Sequence, residues 1–230
     1  MPELQGAVSD GIKMIRKFIF LFLIFNISCV VSSVQEDKTL SSPTPKRELK
    51  KDIPNASWVK IYFEGIDKIV ERNSIYKLRE NILAEDDFEI RVWVGFGKYG
   101  NDGLILKRSS GGNWTATYLS EMLCHSENRG KYNLESPKSG WEATWGKLVD
   151  VGILTLPDSS EINYEDNWND GKSFVIETNY DYVYRTYEYG NPKYQKIKEA
   201  KQIMKLGEII ANEFDLNSFS AETSNCGKDE

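Results

Sequence analysis

The stretch KSFVIETNYDYVYRTYEY, residues 172–189, decides the fold class because it contains two strand-like segments with a short connection between them. Both segments, 172–178 and 183–189, are rich in β-branched and aromatic side chains, which favour strands. Asn179 and Asp181, between the segments, are typical of a turn. The stretch therefore predicts an antiparallel β-hairpin.

The same stretch contains five tyrosines. Side chains alternate between the two faces of a strand, so Tyr182 and Tyr184 share one face while Tyr187 and Tyr189 share the other. A carbohydrate platform needs several rings exposed together, whereas this row provides only two rings on each face. The tyrosines are therefore predicted to be mainly architectural, and the outward pair, Tyr182 and Tyr184, is the candidate binding site.

More strands are predicted on the N-terminal side of this hairpin. Apolar alternation indicates strands at 58–65 and 88–97. A second hairpin is predicted over 104–122, with the turn sequence SGGN at 110–113. The segment 125–140 has the composition of a loop.

Helices are predicted between and after the strands. Apolar residues recur at helical spacing in 66–87, with a break near Asn73, and again in 141–154. The segment 193–214 carries the clearest amphipathic stripe, and Pro192 just before it suits a helix start. These elements predict an α+β fold: an antiparallel sheet built from hairpins, covered on one face by two or three packed helices, including a long C-terminal amphipathic helix.

The N-terminal region has the pattern of an export signal. Lys13, Arg16 and Lys17 precede the apolar run FIFLFLIF, residues 18–25, and small residues follow. Spanning a bilayer takes roughly 20 apolar residues, so this run is too short for a permanent transmembrane helix. Residues 1–33 are therefore predicted to be a signal peptide.

Two kinds of processing fit this signal. Cys29 lies directly after the apolar run, where a bacterial lipoprotein carries its acylated cysteine, although Asn26 stands where Leu is usual. Ordinary cleavage after Ser33 is the alternative. The exported protein is thus expected as an outer-membrane lipoprotein, in the periplasm or outside the cell.

Composition divides the rest of the chain into three parts. Residues 34–54 contain three prolines and many charges, so they are predicted to be a flexible tether. Residues 55–216 are long enough to bury one core and are predicted to form a single α+β domain. Residues 217–230 are predicted to be a polar tail.

Net charge restricts the classes of partner. The chain carries −6, and removal of residues 1–29 takes away three basic and two acidic residues, which leaves −7. An acidic chain without a basic cluster is unsuited to phosphate backbones, so nucleic acid is not an expected partner. Membrane association is expected only through a lipid on Cys29.

Two cysteines remain in the exported chain if Cys29 is acylated or removed. Cys124 and Cys226 would then lie in an oxidising compartment, where disulfides form. A bond between them would close a loop of about 100 residues and stabilise the fold by about 4 kcal/mol. A buried Cys124 with an unpaired Cys226 is the alternative.

Catalytic motifs are scarce. His125 is the only histidine in the sequence, which excludes any site with two imidazoles, and adjacency to Cys124 does not provide the geometry of a catalytic dyad. No G-x-S-x-G elbow presents a serine nucleophile. A carboxylate pair would suit glycan hydrolysis, but no pair stands out. The plausible carboxylates are Glu64, Asp86, Glu142, Asp150 and Asp158.

The segment DNWNDGKSFVIE, residues 166–177, partly matches a calcium-binding loop of twelve residues. Asp166, Asp170 and Glu177 occupy positions 1, 5 and 12 and are the candidate metal ligands. Trp168 stands at position 3, where an oxygen ligand is needed, and a strand follows instead of a helix. A turn at the Asp-Gly pair explains the segment without a metal, and no cofactor is predicted.

Two motifs resemble those of a group of uncharacterised exported bacterial proteins. They are the Trp-rich segment WEATWGKLVDVGILTLPD, 141–158, and the strand end YRTYEYGNP, 184–192. The likeness covers roughly residues 140–214, and no function is assigned to the group. It implies export and a single compact domain, and it implies no particular activity.

The expected function is non-catalytic binding. In the absence of nucleophile and metal motifs, the sequence favours an exported, monomeric binding or interaction protein whose partner is a protein or glycan of the cell envelope. An envelope glycan hydrolase that uses paired carboxylates is the alternative, and a periplasmic inhibitor or immunity protein is a third possibility.

Overall fold

Seven strands form one sheet within the residues that the computed structural model describes, which are 47–97, 100–121, 129–165 and 171–220. The strands are β1 (Lys50–Asp52), β2 (Phe88–Gly97), β3 (Gly100–Arg108), β4 (Trp114–Ser120), β5 (Gly130–Leu134), β6 (Ser173–Tyr180) and β7 (Val183–Gly190). Their order across the sheet is β1-β7-β6-β2-β3-β4-β5, antiparallel except for the parallel pair β1 and β7. Both predicted hairpins, β3–β4 and β6–β7, are confirmed.

Three α-helices pack on this sheet: α1 (Trp58–Arg72), α2 (Trp141–Asp150) and α3 (Lys198–Phe214). The α+β fold class and the long C-terminal amphipathic helix are therefore confirmed. Helix α3 begins at Lys198, and Pro192 lies before it in a separate 3₁₀ turn, Pro192–Tyr194.

Helices cover both faces of the sheet, so the prediction of one covered face is wrong. Helix α1 packs on the face that carries Trp93 and Val175, whereas α2 and α3 pack on the face that carries Val92 and Ile176. Every residue of β2 from Glu89 to Val94 is buried. The alternation of polar residues in β2 suggests an exposed face, but Glu89 and Arg91 pair with each other and contact Tyr76 in the chain segment after α1.

The strand predicted at 58–65 is wrong, because these residues form the first half of α1. Trp58, Phe63 and Ile66 are buried at helical spacing and pack on the sheet. Over the eight residues 58–65, the apolar pattern fits both the strand period of two and the helix period of 3.6. The apolar residues later in α1 favour the helix. The helix ends at Arg72, directly before the predicted break at Asn73.

The domain extends beyond its predicted limits. Strand β1 lies inside the predicted tether 34–54, and Phe219, inside the predicted polar tail, is fully buried. Strand β5 lies inside the predicted loop 125–140, with three exposed side chains between its ends. Such short, exposed strands carry no hydrophobic signal, because backbone pairing with β7 or β4 is what holds them.

Among the described residues, no helix is both long and apolar enough to cross a membrane.

Candidate functional site

A layer of buried polar residues lies between α1 and the sheet. The Glu177 carboxylate accepts hydrogen bonds from Nε1 of Trp93, at 2.6 Å, and from the hydroxyl of Tyr184, at 2.8 Å. Burial raises the pKa of the Tyr184 hydroxyl, and the adjacent negative charge of Glu177 raises it further, so this hydroxyl stays a donor at neutral pH. Donors of the fold itself satisfy Glu177, which is therefore a structural group.

A buried ion pair continues this layer towards the chain segment after α1. Nε of Arg91 donates to Oε1 of Glu89 at 2.7 Å, and Nη1 of Arg91 donates to the carbonyl oxygen of Tyr76 at 2.9 Å. Nδ2 of Asn179 donates to the carbonyl oxygen of Leu78 at 3.1 Å. These contacts anchor the segment on the sheet, and the polar groups that form them therefore have a structural role.

Lys172 anchors the C-terminal end of the described chain. Its Nζ donates to the carbonyl oxygens of Ser218, at 2.8 Å, and Ser220, at 2.9 Å. Burial lowers the pKa of Lys172 to about 8, against the opposing effect of the Asp102 charge. A lysine of this pKa suits proton transfer, but these two contacts are with backbone carbonyl oxygens, which hold the ammonium in place and exchange no proton.

A surface cavity of about 310 Å³, here termed the acidic pocket, opens where β2 begins and where β6 turns into β7. Its lining includes the carboxylates Glu85, Asp86, Asp87 and Asp181 and the aromatic residues Phe88, Tyr180 and Tyr182. The sheet register creates this pocket, because Phe88 of β2 lies opposite Tyr180 of β6. The acidic run before β2 and the β6–β7 turn therefore meet at one end of the sheet.

Unusual backbone conformations shape the walls of the acidic pocket. Asp86, Asp181 and Tyr182 have φ values of 64°, 48° and 60°, in the left-handed region that favours glycine. Aspartate tolerates this region, whereas an aromatic residue rarely adopts it. A two-residue turn of type I′ requires a positive φ at both of its central residues, so Asp181 and Tyr182 hold this backbone in order to connect β6 with β7.

Arg47 contacts the acidic pocket, although it is not one of the residues that line it. Nη1 of Arg47 lies 3.2 Å from Oε2 of Glu85, and its guanidinium carbon lies 4.7 Å from the centroid of the Tyr182 ring. The guanidinium also contacts the Tyr182 hydroxyl. Asp87 is occupied differently, since its Oδ1 accepts a hydrogen bond from the backbone N–H of Ser110 at 2.7 Å.

Half-exposed aromatic residues adjoin the acidic pocket through Phe88. Trp114 of β4 stacks on Trp141 of α2, with ring planes 2° apart and centroids separated by 5.7 Å. Trp145 lies 4.9 Å from Phe88 and 5.6 Å from Trp114, between ring centroids. Nε1 of Trp114 donates to Glu142 at 3.0 Å. Phe88, Trp114, Trp141 and Trp145 are termed the tryptophan cluster, and partly exposed rings with polar neighbours are typical of recognition surfaces.

The structure separates the predicted binding pair. Tyr182 lies in the turn and lines the acidic pocket, whereas Tyr184 is fully buried under α1. The prediction that both rings face outward together is thus wrong for Tyr184, because the face it shares is covered by a helix. Tyr182 escapes burial because it precedes β7, which begins at Val183.

The predicted calcium ligands are only partly described. Asp166 and Asp170 lie outside the described residues, and Glu177 is engaged with Trp93 and Tyr184. In the part of the chain that the structure describes, no group of three or more His, Cys, Asp or Glu side chains is placed to hold a metal ion. Calcium binding stays a prediction.

The predicted lipidation site, Cys29, and the predicted disulfide pair, Cys124 and Cys226, also lie outside the described residues.

The carboxylates that the sequence offers for glycan hydrolysis lie in different parts of the structure. Asp86 lines the acidic pocket, and Glu142 binds Trp114 at the tryptophan cluster. Asp158 is buried, and its oxygens accept the backbone N–H groups of Ser160, at 3.0 Å, and Glu188, at 2.9 Å. Asp158 is therefore a structural cap.

Sequence reasoning missed most of the acidic pocket, namely Glu85, Asp87, Asp181 and the arginine that reaches it, Arg47. The available signal was the acidic run 85–87 directly before a strong strand. Only the pairing of β2 with β6 brings this run beside the tyrosine-rich turn, and that pairing has no local signature in the sequence.

No protein-family model matches the chain, and no curated protein is significantly similar to it.

Proposed function

We propose that this protein is an exported, non-catalytic binding protein of the bacterial cell envelope, with the acidic pocket and the tryptophan cluster as its ligand site. The observation that carries the proposal is an open cavity of about 310 Å³ that gathers four carboxylates beside half-exposed aromatic rings. A ligand at this face would meet carboxylates and rings together, a combination suited to hydroxyl-rich or cationic groups.

The other carboxylates support binding over catalysis. Glu177, Glu89 and Asp158 are buried, and each accepts hydrogen bonds from donors of the fold. Within the acidic pocket, Asp87 is held by a backbone N–H and Glu85 by Arg47. Within the acidic pocket, Asp86 and Asp181 are therefore the carboxylates that a hydrolase would use. This second candidate, an envelope glycan hydrolase, is favoured by the concentration of carboxylates in one cavity.

Export rests on the N-terminal sequence and has its own test. A lipid on Cys29 would hold the protein at the outer membrane, whereas cleavage after Ser33 would release it into the periplasm or the medium. Mass spectrometry of the N-terminal peptide from the native host separates the two, since the mature chain begins at acylated Cys29 or at Val34. An unprocessed chain confined to the cytoplasm would contradict export.

The tryptophans provide a direct test of binding. The chain has six, and each gives a separate indole N–H resonance. On titration of the mature protein with soluble envelope glycan fragments, we expect shifts for Trp114, Trp141 and Trp145. Trp93, fully buried under α1, is the internal control. If the ligand is a protein, as for an inhibitor or immunity protein, a stable one-to-one complex should shift the same three resonances.

A second experiment separates binding from hydrolysis. The mature protein and its Asp86→Asn and Asp181→Asn variants are incubated with purified envelope glycan, and soluble fragments are measured over time. Asp150→Asn is the control, because Asp150 is exposed and lies outside the acidic pocket. We expect the wild type to release no more soluble fragments than the variants do. Release by the wild type that one pocket substitution abolishes would establish a hydrolase and overturn the proposal.

A further inference from the structure

Arg47 lies at the edge of the acidic pocket and contacts two of its lining residues as a bound guanidinium would. It pairs with Glu85 on one side and lies over the Tyr182 ring on the other, at 4.7 Å from its guanidinium carbon to the ring centroid. Carboxylate pairing and stacking on an aromatic ring are the two interactions by which proteins recognise arginine. The chain itself thus shows which chemistry the pocket accepts.

The segment that carries Arg47 is held by its backbone pairing with β7 and by Leu49 and Ile53, which pack against the core, whereas the side chain of Arg47 is held only by exposed contacts. Strand β1 contributes three residues, all exposed, and the backbone N–H of Lys50 donates to the carbonyl oxygen of Tyr182 at 2.9 Å. The side chains of Arg47 and Glu85 remain 50% and 70% exposed. Exposed ion pairs contribute little to stability, so the guanidinium of Arg47 is held at Glu85 reversibly.

The charge of the pocket exceeds what Arg47 neutralises. Four carboxylates line the cavity, and Arg47 pairs with only one of them, Glu85. Among the described residues, neither Asp86 nor Asp181 forms an ion pair with a lysine or arginine. Carboxylates crowded in one cavity repel one another, and a ligand with two cations would relieve that repulsion better than Arg47 alone.

We infer that the acidic pocket is a recognition site for an arginine-bearing segment of an envelope protein, and that Arg47 is an internal competitor for it. This inference rests on the proposed binding function and names its ligand class. A neutral glycan would replace the ion pair with uncharged hydrogen bonds and would leave the carboxylates unneutralised, so the charge of the pocket favours a basic peptide. Contact of Arg47 with Glu85 and Tyr182 lowers the affinity for such a peptide in proportion to the time that these two residues are engaged.

The test uses a fluorescent peptide with two adjacent arginines flanked by alanines, and a matched peptide in which citrulline replaces both arginines. Citrulline keeps the shape of arginine but carries no charge. Binding to the mature protein is measured by anisotropy for the wild type, Arg47→Ala, Glu85→Gln and Asp181→Asn. Lys138→Ala is the control variant, since Lys138 is an exposed lysine that pairs with Asp215 outside the pocket.

We expect Arg47→Ala to bind the arginine peptide at least about threefold more tightly than the wild type, because the internal competitor is removed. Glu85→Gln and Asp181→Asn should each weaken binding by about two- to fivefold, and added salt should weaken it further. The citrulline peptide should not bind measurably, and Lys138→Ala should match the wild type. Equal unfolding midpoints for the variants would show that the changes are local.

Four outcomes overturn the inference. If Arg47→Ala and the wild type bind the arginine peptide equally, or if the citrulline peptide binds as well, Arg47 does not compete for a guanidinium site. If the arginine peptide binds neither protein while glycan fragments shift the Trp114 resonance, the inference fails and the proposed function stands. If neither probe shifts Trp114 or binds, both fail.

Discussion

At the scale of single residues, Tyr182 and Tyr184 show how a spacing of two positions separates a surface group from a core group. The hydroxyl of Tyr184 donates to Glu177 at 2.8 Å in a region without solvent. Tyr182 lies in the turn with a left-handed backbone and lines a surface cavity. The same side chain therefore completes a buried hydrogen bond at one position and offers a partly exposed ring at the other.

Removal of the two hydroxyl groups should have unequal effects on stability. Tyr184→Phe leaves the buried Glu177 carboxylate without one of its two donors, so we expect the free energy of unfolding to fall by about 1–3 kcal/mol. Tyr182→Phe is the matched control and should change it by less than about 0.5 kcal/mol, since its hydroxyl is at the surface. Urea unfolding of both variants measures the difference, and equal effects would contradict the assigned roles.

Gly103 is required by the close approach of β3 to Trp93. A Cβ at this position would lie 2.4 Å from Cζ3 of Trp93, which is fully buried and cannot move aside. We expect Gly103→Ala to lower the free energy of unfolding by about 1–3 kcal/mol through overpacking.

Gly146 provides the control for Gly103. It is an exposed glycine in α2, and an added Cβ would meet no atom within 4 Å. Gly146→Ala should raise the free energy of unfolding by about 0.5–1 kcal/mol, because alanine favours the helix. Thermal or urea unfolding measures the change in stability of both variants. A loss of stability in Gly146→Ala as well as in Gly103→Ala would contradict this account.

At the scale of secondary-structure elements, Glu213 of α3 joins the C-terminal helix to the start of α2. Its Oε2 accepts the backbone N–H of Ser139 at 2.8 Å, and its Oε1 accepts the Ser139 hydroxyl at 2.9 Å and Nζ of Lys147 at 2.6 Å. Gly140, which precedes α2, has no side chain to cap the helix. A carboxylate from α3 therefore supplies negative charge at the N-terminus of α2, where the helix dipole favours it.

This contact should make stability depend on acid pH. Burial acts to raise the pKa of Glu213, but hydrogen bonds from Lys147 and Ser139 outweigh it and lower the pKa to about 2, below the ordinary value of 4.5. Because the folded-state pKa is the lower one, the contact stabilises the fold fully above 4.5, and this contribution is lost as the pH falls towards 2. The difference in unfolding free energy between the wild type and Glu213→Gln should therefore shrink across this range.

Urea unfolding at several pH values from about 6 to about 2 measures that difference. Glu208→Gln is the control on the same helix, since Glu208 forms an exposed pair with Lys205 and should show a much weaker dependence. A difference for Glu213→Gln that stays constant between pH 4.5 and 2 would contradict the assigned pKa direction.

At the scale of the whole molecule, charge is distributed unevenly in a chain whose net charge is −6. Carboxylates crowd the acidic pocket, whereas lysines crowd a shallow groove of about 540 Å³ beside α3. The lysines of this groove are Lys196, Lys198, Lys201 and Lys205. Net charge alone therefore describes the partners of this protein poorly, because each surface presents its own sign to a ligand.

The cysteine pair concerns the whole molecule as well. Cys124 and Cys226 lie outside the described residues, so their pairing stays a prediction of the sequence. A disulfide between them in an oxidising compartment would stabilise the protein by about 4 kcal/mol, and a buried Cys124 with an unpaired Cys226 is the alternative.

A thiol count on the mature protein tests this bond. We expect no reactive thiol before reduction and two after reduction, and Cys226→Ser should leave one reactive thiol without any reductant. Two reactive thiols in the wild type, unfolded in urea without a reductant, would end the disulfide hypothesis and favour a buried Cys124 with an unpaired Cys226.

The sequence by itself determined the elements whose signals are local. The hairpins β3–β4 and β6–β7 and helices α2 and α3 follow from side-chain periodicity and turn residues that lie within about twenty positions of one another. Strands β1 and β5 have exposed side chains and no such signal, and the eight residues 58–65 fitted two periods equally.

Only the tertiary structure decided the candidate site. Pairing of β2 with β6 joins Asp86 and Asp181, which lie far apart in sequence, and α1 buries Tyr184 while leaving Tyr182 at the surface. The physical reason is that strand pairing uses backbone groups common to all residues, so the choice of neighbouring strand depends on the packing of the whole core. The acidic pocket is thus a product of register, although each of its residues was visible in the sequence.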